Sequence, residues 1–330
     1  MKILVTGGAG YIGSTTASHL LAAGHEVIVF DNLTHGYQAA VPEGAEIIVG
    51  NINDRALLDQ VLGSGIEAIV HFAALIEAGE SMKRPAAYLH NNVGASTTLI
   101  DAAVANRVDN IVFSSSAAVY ASQDHPLVEE SDIQPVNLYG QTKRMVEEIL
   151  GWYHRLVGLK SCSLRYFNAS GASFHGGEIR GESHQPETHL IPLVLQVALD
   201  QRPSISIFGD DYPTPDGTNI RDYVHIDDLA QAHVKAVEAL RDESEALWVY
   251  NLGNGFGYSN LEVVNTARKI TGHPIPAIMA SRRPGDGAIL VASSEKIKSE
   301  LDWTPEYPEL ETIISSAWEW HRSHPLGYGN

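Results

Sequence analysis

The feature that most constrains the fold of this chain is a short apolar run followed by a glycine-rich turn. Residues 2–6 read Lys-Ile-Leu-Val-Thr, which is typical of a buried strand, and residues 14–23 are helical in composition. Between them lie Gly7, Gly10 and Gly13. In such a turn the first glycine permits the bend, the second lets the backbone approach a pyrophosphate, and the third packs helix on strand. The spacing is G-x-x-G-x-x-G, and we predict a dinucleotide-binding unit.

The second apolar strand indicates which dinucleotide is bound. Residues 26–31 read Glu-Val-Ile-Val-Phe-Asp and end at Asp31, at the place where a carboxylate would bind the adenosine ribose diol. A carboxylate repels a 2′-phosphate, and residues 32–38 contain no Arg or Lys to receive one. We therefore expect NAD and not NADP.

Strands and helices alternate through the first half of the chain. Further apolar runs that suit buried strands lie at residues 45–50, 68–74, 110–116 and 160–168, with helical segments at 55–63, 85–106 and from 139 onward. This alternation predicts an α/β fold with a doubly wound, Rossmann-like parallel sheet and right-handed crossovers. Ligands of such sheets bind at the carboxyl ends of the strands. The candidate cofactor-binding residues are Gly7, Gly10, Tyr11, Ile12, Gly13, Asp31, Asn32, Asn51, Ile52, Phe72, Ala73, Ala74, Asn91, Ser114, Tyr139, Lys143 and Tyr166.

Two polar residues of this region have a second interpretation. Asn51 could accept a hydrogen bond from an adenine amino group, although a role in a turn fits it equally well. His71 suits a packed strand histidine better than a catalyst.

The candidate catalytic residues are Ser116, Tyr139 and Lys143. Tyr139 and Lys143 are four residues apart, so in a helix both side chains lie on one face. An ammonium beside a phenol favours its ionisation, which would make Tyr139 a base for a hydroxyl proton. Ser116 ends the strand at 110–116 and could hydrogen-bond the same substrate oxygen. The convergence of this group with the glycine turn and Asp31 at the strand ends predicts an active site.

Composition limits the partners and the compartment. The chain has 330 residues with 22 basic and 40 acidic side chains, a net charge of −18, which argues against nucleic acid or an anionic membrane surface as a partner. Its one cysteine, Cys162, excludes an internal disulfide and fits a cytoplasmic, reducing location. No apolar run has the length of a membrane span or a signal peptide. We expect no metal.

The alternating pattern stops after the strand at 160–168. A segment rich in Gly, Ser and His follows, and then come a helix at 190–199 and strands at 204–209 and 247–252. We predict an NAD-binding domain over 1–172 and a smaller α/β substrate domain over 173–330, with segment 222–252 returning to pack on the first domain.

Several motifs resemble those of one known family, the extended short-chain dehydrogenase/reductases, and within it the UDP-glucose 4-epimerases. The resemblance runs nearly end to end, and its most specific pieces lie in the second half. These pieces are Gly7–Gly13, His71-Phe-Ala-Ala, Gly79-Glu-Ser, Ser114–Tyr120, Tyr139-Gly-Gln-Thr-Lys143, Arg165-Tyr-Phe-Asn168, Glu187-Thr-His-Leu-Ile-Pro192, residues 208–218, Ile220–His225 and Arg283-Pro-Gly-Asp286.

The resemblance implies a reaction and a set of substrate contacts. Tyr139, assisted by Lys143 and Ser116, would take the proton from the sugar 4-hydroxyl while a bound NAD⁺ takes and later returns the C4 hydride. It implies a UDP-hexose substrate and a homodimer formed through helices near 86–106 and 140–157. The implied substrate-binding residues are Ser116, Tyr139, Phe167, Asn168, Leu190, Phe208, Arg221, Tyr223, Arg283 and Asp286.

Four positions depart from the family pattern. Ala118 stands where many members have threonine, Ile76 where some have lysine, and Asn51 where aspartate is common. Leu290 replaces a bulky tyrosine that limits the sugar pocket in some members. We therefore expect room for a 2-acetamido group, so that UDP-GlcNAc and UDP-GalNAc are also accepted.

Three alternative functions make different demands on these residues. A 4,6-dehydratase needs an additional acid/base pair, but alanines 117 and 118 occupy its positions. A UDP-glucuronate 4-epimerase should offer a cation or hydroxyl for the C6 carboxylate, and none is located. A binding protein that only senses NAD would be expected to lose Ser116, Tyr139 or Lys143, and all three are present.

Overall fold

The computed structural model describes residues 1–121, 125–283 and 286–329. Its larger part is a layered α/β unit and its smaller part an assembly of short strands and helices. The strands are β1 (Lys2–Thr6), β2 (Glu26–Asp31), β3 (Glu46–Val49), β4 (Ala68–His71), β5 (Asn110–Ser116), β6 (Lys160–Tyr166), β7 (Asn168–Ser170), β8 (Ile205–Phe208), β9 (Ile220–Arg221), β10 (Tyr223–His225), β11 (Leu247–Leu252), β12 (Tyr258–Ser259), β13 (Ala277–Ala280) and β14 (Ile289–Leu290).

The helices form the outer layers. They are α1 (Tyr11–Ala22), α2 (Arg55–Leu62), α3 (Ala78–Ser81), α4 (Pro85–Tyr88), α5 (Ala95–Ala105), α6 (Leu138–Val157), α7 (Leu190–Ala198), α8 (Ile226–Asp242), α9 (Asn260–Thr271), α10 (Glu295–Leu301) and α11 (Leu310–Ser323). Helices α1 and α8 pack together on one face of the main sheet, and α2, α5 and α6 cover the other.

The main sheet has seven parallel strands in the order β11-β6-β5-β4-β1-β2-β3. The strand order reverses between β1 and β4, which creates the crevice where ligands bind in this architecture. The doubly wound parallel sheet predicted from the sequence is therefore confirmed.

The strands are apolar on both faces because helices cover both sides of the sheet. Alternate residues of β1 enter different cores, since successive side chains of a strand point in opposite directions. Ile3 and Val5 pack toward α1 and α8, whereas Leu4 packs toward α2 and α5. Burial of these side chains fixes the register of β1 against β2 and β4.

The remaining strands build smaller sheets beside the crevice. β8 pairs with β13, β9 lies between β12 and β14, and β7 pairs with β10. A separate core joins α7, β8, α9 and α11. The chain returns from this part through α8 and β11, and β11 completes the main sheet beside β6.

The predicted boundaries differ from the observed ones in three places. Helix α1 begins at Tyr11, three residues earlier than predicted, with Gly10 as its N-cap. The predicted strand over 160–168 is interrupted at Phe167, because β7 leaves the main sheet to pair with β10. The predicted helix over 85–106 contains a wider, π-helical turn at Leu89–Gly94.

Candidate active site

The first turn of α6 brings Tyr139 and Lys143 to the carboxyl end of β5. Asn137 begins this helix, and its side-chain oxygen accepts a hydrogen bond of 2.8 Å from the Gly140 backbone N–H. The Tyr139 backbone N–H donates to Ser81 Oγ at 3.1 Å. Gly140 lies against the residue-118 carbonyl so closely that a Cβ would come within 2.1 Å of that oxygen. A glycine is required here for the helix to approach the end of the strand.

Lys143 is anchored to the strand that ends at Ser116. Its side chain is only 2% exposed, and Nζ donates a 2.6 Å hydrogen bond to the Ser114 carbonyl oxygen. Burial lowers the pKa of Lys143 to about 7, although the Glu147 carboxylate one turn further along α6 opposes this effect. Nζ lies 5.8 Å from the centroid of the Tyr139 ring. The ammonium is thus next to the phenol ring but is bonded to the backbone.

Tyr139 has a pKa above its ordinary value, which corrects the expectation that Lys143 makes the phenol easy to ionise. Burial raises the pKa most, the hydrogen bond with Ser116 lowers it, and the charge of Glu77 raises it further. The sequence shows the neighbouring ammonium but not the loss of water around the ring. A cation near the phenol would have to compensate for that loss.

The glycine turn is shaped as the sequence predicts. Gly7 has a φ of +72° in the left-handed region, and a Cβ there would lie 2.6 Å from the Ala73 backbone nitrogen. A Cβ on Gly13 would come within 2.3 Å of the Gly7 carbonyl oxygen. No side chain caps the N-terminus of α1. The N–H groups of its first turn, at Tyr11 and Ile12, are therefore available to a phosphate.

Asp31 ends β2 beside this turn and is 8% exposed. Its two carboxylate oxygens accept hydrogen bonds from the backbone N–H groups of Ala9, at 3.0 Å, and Leu33, at 2.8 Å. Each oxygen keeps lone-pair capacity for a ribose hydroxyl. The carboxylate both holds the glycine turn and faces the position where a dinucleotide would lie.

The side-chain oxygens of Asn32 and Asn51 bond their own turns. Asn32 Oδ1 accepts from the Thr34 backbone N–H at 3.0 Å, and Asn51 Oδ1 accepts from the Asn53 backbone N–H at 2.9 Å. The turn interpretation of Asn51 is therefore the one that its hydrogen bond matches, and its amide nitrogen stays exposed. The neighbouring Ile52 is buried.

The other cofactor candidates surround the ends of β4, β5 and β6. Tyr166 OH bonds Ser114 Oγ, and burial raises the pKa of Tyr166. His71 is packed in its strand, with Nδ1 at 2.7 Å from Thr6 Oγ1 and Nε2 at 2.8 Å from Ser96 Oγ. Phe72, Ala73 and Ala74 continue from β4 into the crevice.

In the π-helical turn at Leu89–Gly94, Asn92 makes more contacts with neighbouring elements than Asn91 does. Asn92 is buried, accepts from the Leu75 backbone N–H at 2.8 Å, and donates to Thr142 Oγ1 at 3.1 Å. Asn91 donates from Nδ2 to the neighbouring Asn92 Oδ1 at 3.1 Å. Asn92 thereby ties the loop after β4 to α6, the helix of Tyr139 and Lys143.

The substrate candidates gather on the smaller part of the molecule. Arg221 is only 16% exposed, lies 3.9 Å from the Asp286 carboxylate, and pairs in register with Leu290. The exposed Arg283 guanidinium stacks 3.9 Å above the Phe208 ring. Arg221 is therefore a partly buried cation and not a free surface charge.

The remaining substrate candidates line the junction between the two parts. Asn168 donates from Nδ2 to the Asp222 carbonyl at 2.8 Å, and the neighbouring Phe167 packs in a cluster that includes Leu290. Tyr223 is buried beside Arg221, and Leu190 begins α7.

Two groups near the site have roles that the sequence analysis missed. Glu77 accepts from Thr188 Oγ1 at 3.0 and 3.1 Å, which joins the loop after β4 to the smaller part. Glu147 on α6 accepts hydrogen bonds from Arg165, at 2.6 and 2.9 Å, and from Ser115, at 2.5 Å. This buried ion pair holds α6 against β5 and β6. In the sequence, this ion pair was indicated only by the Arg-Tyr-Phe-Asn motif, which contains Arg165.

Several known proteins are similar to this chain. Residues 3–253 match the model of the NAD-dependent epimerase/dehydratase family. A curated UDP-glucose 4-epimerase from Corynebacterium glutamicum is 51% identical over 320 residues, which span 96% of this chain and 95% of the relative. The chain belongs to the NAD-dependent epimerase/dehydratase family. The resemblance inferred from the sequence motifs is thus confirmed.

Solved structures within the family have the same architecture. One UDP-glucose 4-epimerase is 47% identical with a TM-score of 0.96, and 100% of each chain is covered. The UDP-glucose 4-epimerase of Bifidobacterium longum, solved in complex with NAD⁺ and UDP, is 36% identical with a TM-score of 0.93. That comparison covers 99% of this chain and 100% of the other.

The described residues also bear on the alternatives. Ala117 and Ala118 form a short 3₁₀ turn directly after Ser116, and neither side chain can move a proton, which disfavours a dehydratase. Within the described ranges, none of the helices has the combination of length and apolar character needed to traverse a bilayer.

Proposed function

We propose that this protein is an NAD-dependent epimerase that interconverts UDP-glucose and UDP-galactose at C4 through a 4-keto intermediate. The observation that carries the proposal is the meeting of Ser116, Tyr139 and Lys143 at the end of β5, across from the glycine turn. The end-to-end similarity to UDP-glucose 4-epimerases supports the substrate class.

NAD is the cofactor of the family, and the residues present fit it. The uncapped first turn of α1 suits the pyrophosphate, and the Asp31 carboxylate suits the adenosine ribose and disfavours a 2′-phosphate. When bound, NAD⁺ would supply the hydride acceptor for the sugar C4 and, as NADH, the hydride donor for the opposite face of that carbon.

The chain's own residues would handle the proton. Tyr139 takes it from the 4-hydroxyl and later returns it, while Ser116 holds the phenol oxygen by a hydrogen bond. Lys143, fixed on the Ser114 carbonyl, supplies positive charge beside the ring.

The substrate grip would be concentrated on UDP. Arg221 and Arg283 provide cations for the pyrophosphate in a chain whose overall field is negative. The backbone carbonyls of residues 220 and 287 hold the Arg221 guanidinium, and the Asp286 carboxylate lies 3.9 Å away. The further substrate contacts that we propose lie in the same region and are Phe167, Asn168, Leu190, Phe208 and Tyr223. Firm binding of UDP leaves the hexose free to turn over, which the return of the hydride to the opposite face requires.

Transfer of label tests this mechanism directly. UDP-glucose carrying deuterium at C4 should give UDP-galactose that keeps the deuterium at C4, because the hydride returns from the cofactor. Mass spectrometry and proton NMR of the product measure the retention. Replacement of the deuterium by solvent hydrogen would point to proton abstraction from carbon and would contradict the redox mechanism.

Glu77 should influence the pH dependence of the reaction. Its negative charge raises the pKa of Tyr139, so Glu77→Gln should lower that pKa. Since activity is lost as the pH falls through the pKa of the base, the acid limb of kcat/KM should move to lower pH. Glu80→Gln is the control, because Arg84 already neutralises that carboxylate. Superimposable profiles for Glu77→Gln and the wild type would show that Glu77 does not act on the base.

N-acetylated sugars are a second substrate class, favoured by Leu290. This residue packs in the cluster with Phe167, next to the catalytic strand end, and is much smaller than tyrosine. We expect turnover of both UDP-GlcNAc and UDP-glucose by the wild type. Leu290→Tyr should reduce kcat/KM for UDP-GlcNAc by 10-fold or more and change that for UDP-glucose little, since the new ring fills the acetamido space. Absence of UDP-GlcNAc turnover in the wild type would exclude this class.

We also propose a homodimer, two domains and a cytoplasmic location. The far end of α6 exposes Trp152, Leu156 and Val157, with Leu156 74% exposed, and such an apolar surface suits a partner helix. Light scattering of the purified protein measures the oligomeric state.

We place the domain boundary near residue 172, with segment 222–252 belonging to the first domain. The thiol of Cys162 is free and buried, which fits a reducing compartment.

A further inference from the structure

Two histidines and two glutamates converge in the segment that leads into α7. Glu182, His184, Glu187 and His189 each offer one ligand atom, and these four atoms lie within 4.8 Å of one another. Glu182 Oε1 is 2.6 Å from His189 Nδ1 and 2.9 Å from His184 Nδ1. Glu187 Oε1 is 2.9 Å from His189 Nδ1. The Nδ1 atoms of both histidines thus face the carboxylate oxygens of the two glutamates.

The carboxylates of this four-residue cluster are buried and held by the protein. Their side chains are 5% and 4% exposed for Glu182 and Glu187, whereas His184 is 21% and His189 40% exposed. Glu187 Oε1 accepts from the backbone N–H groups of Thr188, at 2.7 Å, and His189, at 2.8 Å. A carboxylate pair this dry needs cationic partners, which the two histidines supply when they are protonated. A divalent ion would supply this charge in place of their protons, and the partly exposed histidine rings leave a path for it to enter.

Polar groups of α1 and α11 lie close to the cluster. Burial raises the pKa of Tyr11 and lowers that of His321, and the negative charges of both glutamates raise both pKa values. Among the described residues, His321 Nε2 is a buried nitrogen without a hydrogen-bond partner. The Trp320 indole N–H donates to the Glu182 carbonyl at 2.9 Å and fixes the start of the segment on α11.

We propose that Glu182, His184, Glu187 and His189 bind a divalent transition metal ion, Zn²⁺ in the first place. Imidazole nitrogen and carboxylate oxygen are the donors that Zn²⁺ takes in four-coordinate sites. Zinc–ligand distances of about 2.0–2.1 Å place tetrahedral ligand atoms roughly 3.3 Å apart. The three pairs at 2.6–2.9 Å are hydrogen-bonded, so the ion would displace their bridging protons and move these atoms apart by about half an ångström. Ligand atoms of the cluster that lie further apart, up to 4.8 Å, would move closer together.

The four protein ligands make this a structural site and not a part of the proton chemistry. His189 is the N-cap of α7, whose first residue is Leu190. Thr188 bonds Glu77 across the crevice. A metal here would hold the loop, the start of α7 and this cross-crevice contact together. The cluster adjoins the proposed substrate contact Leu190 and reaches Glu77 through Thr188, so metal binding has to be measured by itself and not through turnover.

Calorimetry with the chelator-treated full-length protein tests the proposal. ZnCl₂ should bind with a stoichiometry of one per chain and should raise the thermal midpoint of unfolding. His184→Ala and His189→Ala should each weaken this binding at least about 100-fold, since each removes a ligand atom. His273→Ala, which replaces an exposed histidine far along the sequence, should bind like the wild type. No saturable Zn²⁺ binding by the wild type, or equal binding by all three variants, would overturn the proposal.

A measurement on the wild type covers the case in which a variant does not fold. Crystals soaked in ZnCl₂ should show an anomalous difference peak at the zinc edge between the four ligand atoms. Co²⁺ in place of Zn²⁺ should give the intense visible absorption of a four-coordinate complex. A crystal with the peak elsewhere, or with none, would contradict the site.

Discussion

Tyr139→Phe should abolish most of the epimerase activity while the protein keeps its fold and its NAD. Loss of a general base lowers turnover by about 10²–10⁴-fold. The phenyl ring preserves the packing of the side chain, and the bond from the residue-139 backbone N–H to Ser81 Oγ does not depend on the hydroxyl. Turnover is measured by chromatography of UDP-glucose and UDP-galactose, and the NAD content by absorbance of the extracted cofactor.

Tyr153→Phe is the matched control on the same helix. The Tyr153 hydroxyl donates to Asp101 at 3.3 Å, away from the strand end, so its removal should leave turnover within about twofold of the wild type. If Tyr139→Phe turned over as fast as Tyr153→Phe, the base would have been misassigned. Because Tyr139 is also a cofactor-binding candidate, turnover is expressed per NAD-loaded chain, which separates loss of proton transfer from loss of NAD.

Gly140→Ala should be nearly as damaging, although residue 140 has no functional group. A Cβ there would lie 2.1 Å from the carbonyl oxygen of residue 118 and 3.2 Å from its Cβ. Backbone atoms cannot rotate away, so α6 must move from the end of β5 and carry Tyr139 and Lys143 with it. We expect a loss of about 1–3 kcal/mol in the free energy of unfolding. A shift of about 1 Å in the catalytic groups lowers turnover by about 100-fold.

Gly151→Ala provides the comparison within α6. A Cβ at residue 151 meets nothing closer than 3.7 Å, and glycine inside a helix is unfavourable. This variant should be more stable than the wild type by about 0.5–1 kcal/mol and should keep its turnover. Denaturant unfolding and steady-state rates measure both variants. Equal behaviour of the two alanines would show that the contact at Gly140 does not position the helix.

The fold was predictable because its signals are local and repeated. The apolar strand at Lys2–Thr6, the glycine turn and the carboxylate at Asp31 each have a spacing that only a strand-turn-helix unit satisfies. The repeated alternation of strands and helices then predicts a doubly wound parallel sheet. The pairing of β7 with β10 was not predictable in the same way, since it depends on residues more than 50 positions apart.

The placement of Tyr139 and Lys143 in one helix was predictable, but the electrostatics around them were not. The four-residue spacing of Tyr139 and Lys143 indicates that they share a helix face. It does not show that Nζ bonds the Ser114 carbonyl or that burial raises the pKa of the phenol. Glu77 was missed for a related reason. Its partner Thr188 is 111 residues away, and no motif links the two.

The Glu182–His189 segment shows the opposite limit. Its two histidines and two glutamates are visible in the sequence, but part of the segment belongs to a motif already explained by the family resemblance. Their spacing also differs from the familiar zinc motifs. Only the folded loop reveals that the four ligand atoms converge.

The central claim is that this chain is a 4-epimerase with a retained, recycling cofactor. Its most direct test is to incubate the purified protein with UDP-glucose, without added NAD, and to separate the nucleotide sugars by chromatography. We expect UDP-galactose to accumulate until the two sugars reach equilibrium, at substrate concentrations far above that of the protein. Product only after addition of NAD would contradict retention of the cofactor. Absence of UDP-galactose both with and without NAD would contradict the assignment of the reaction itself.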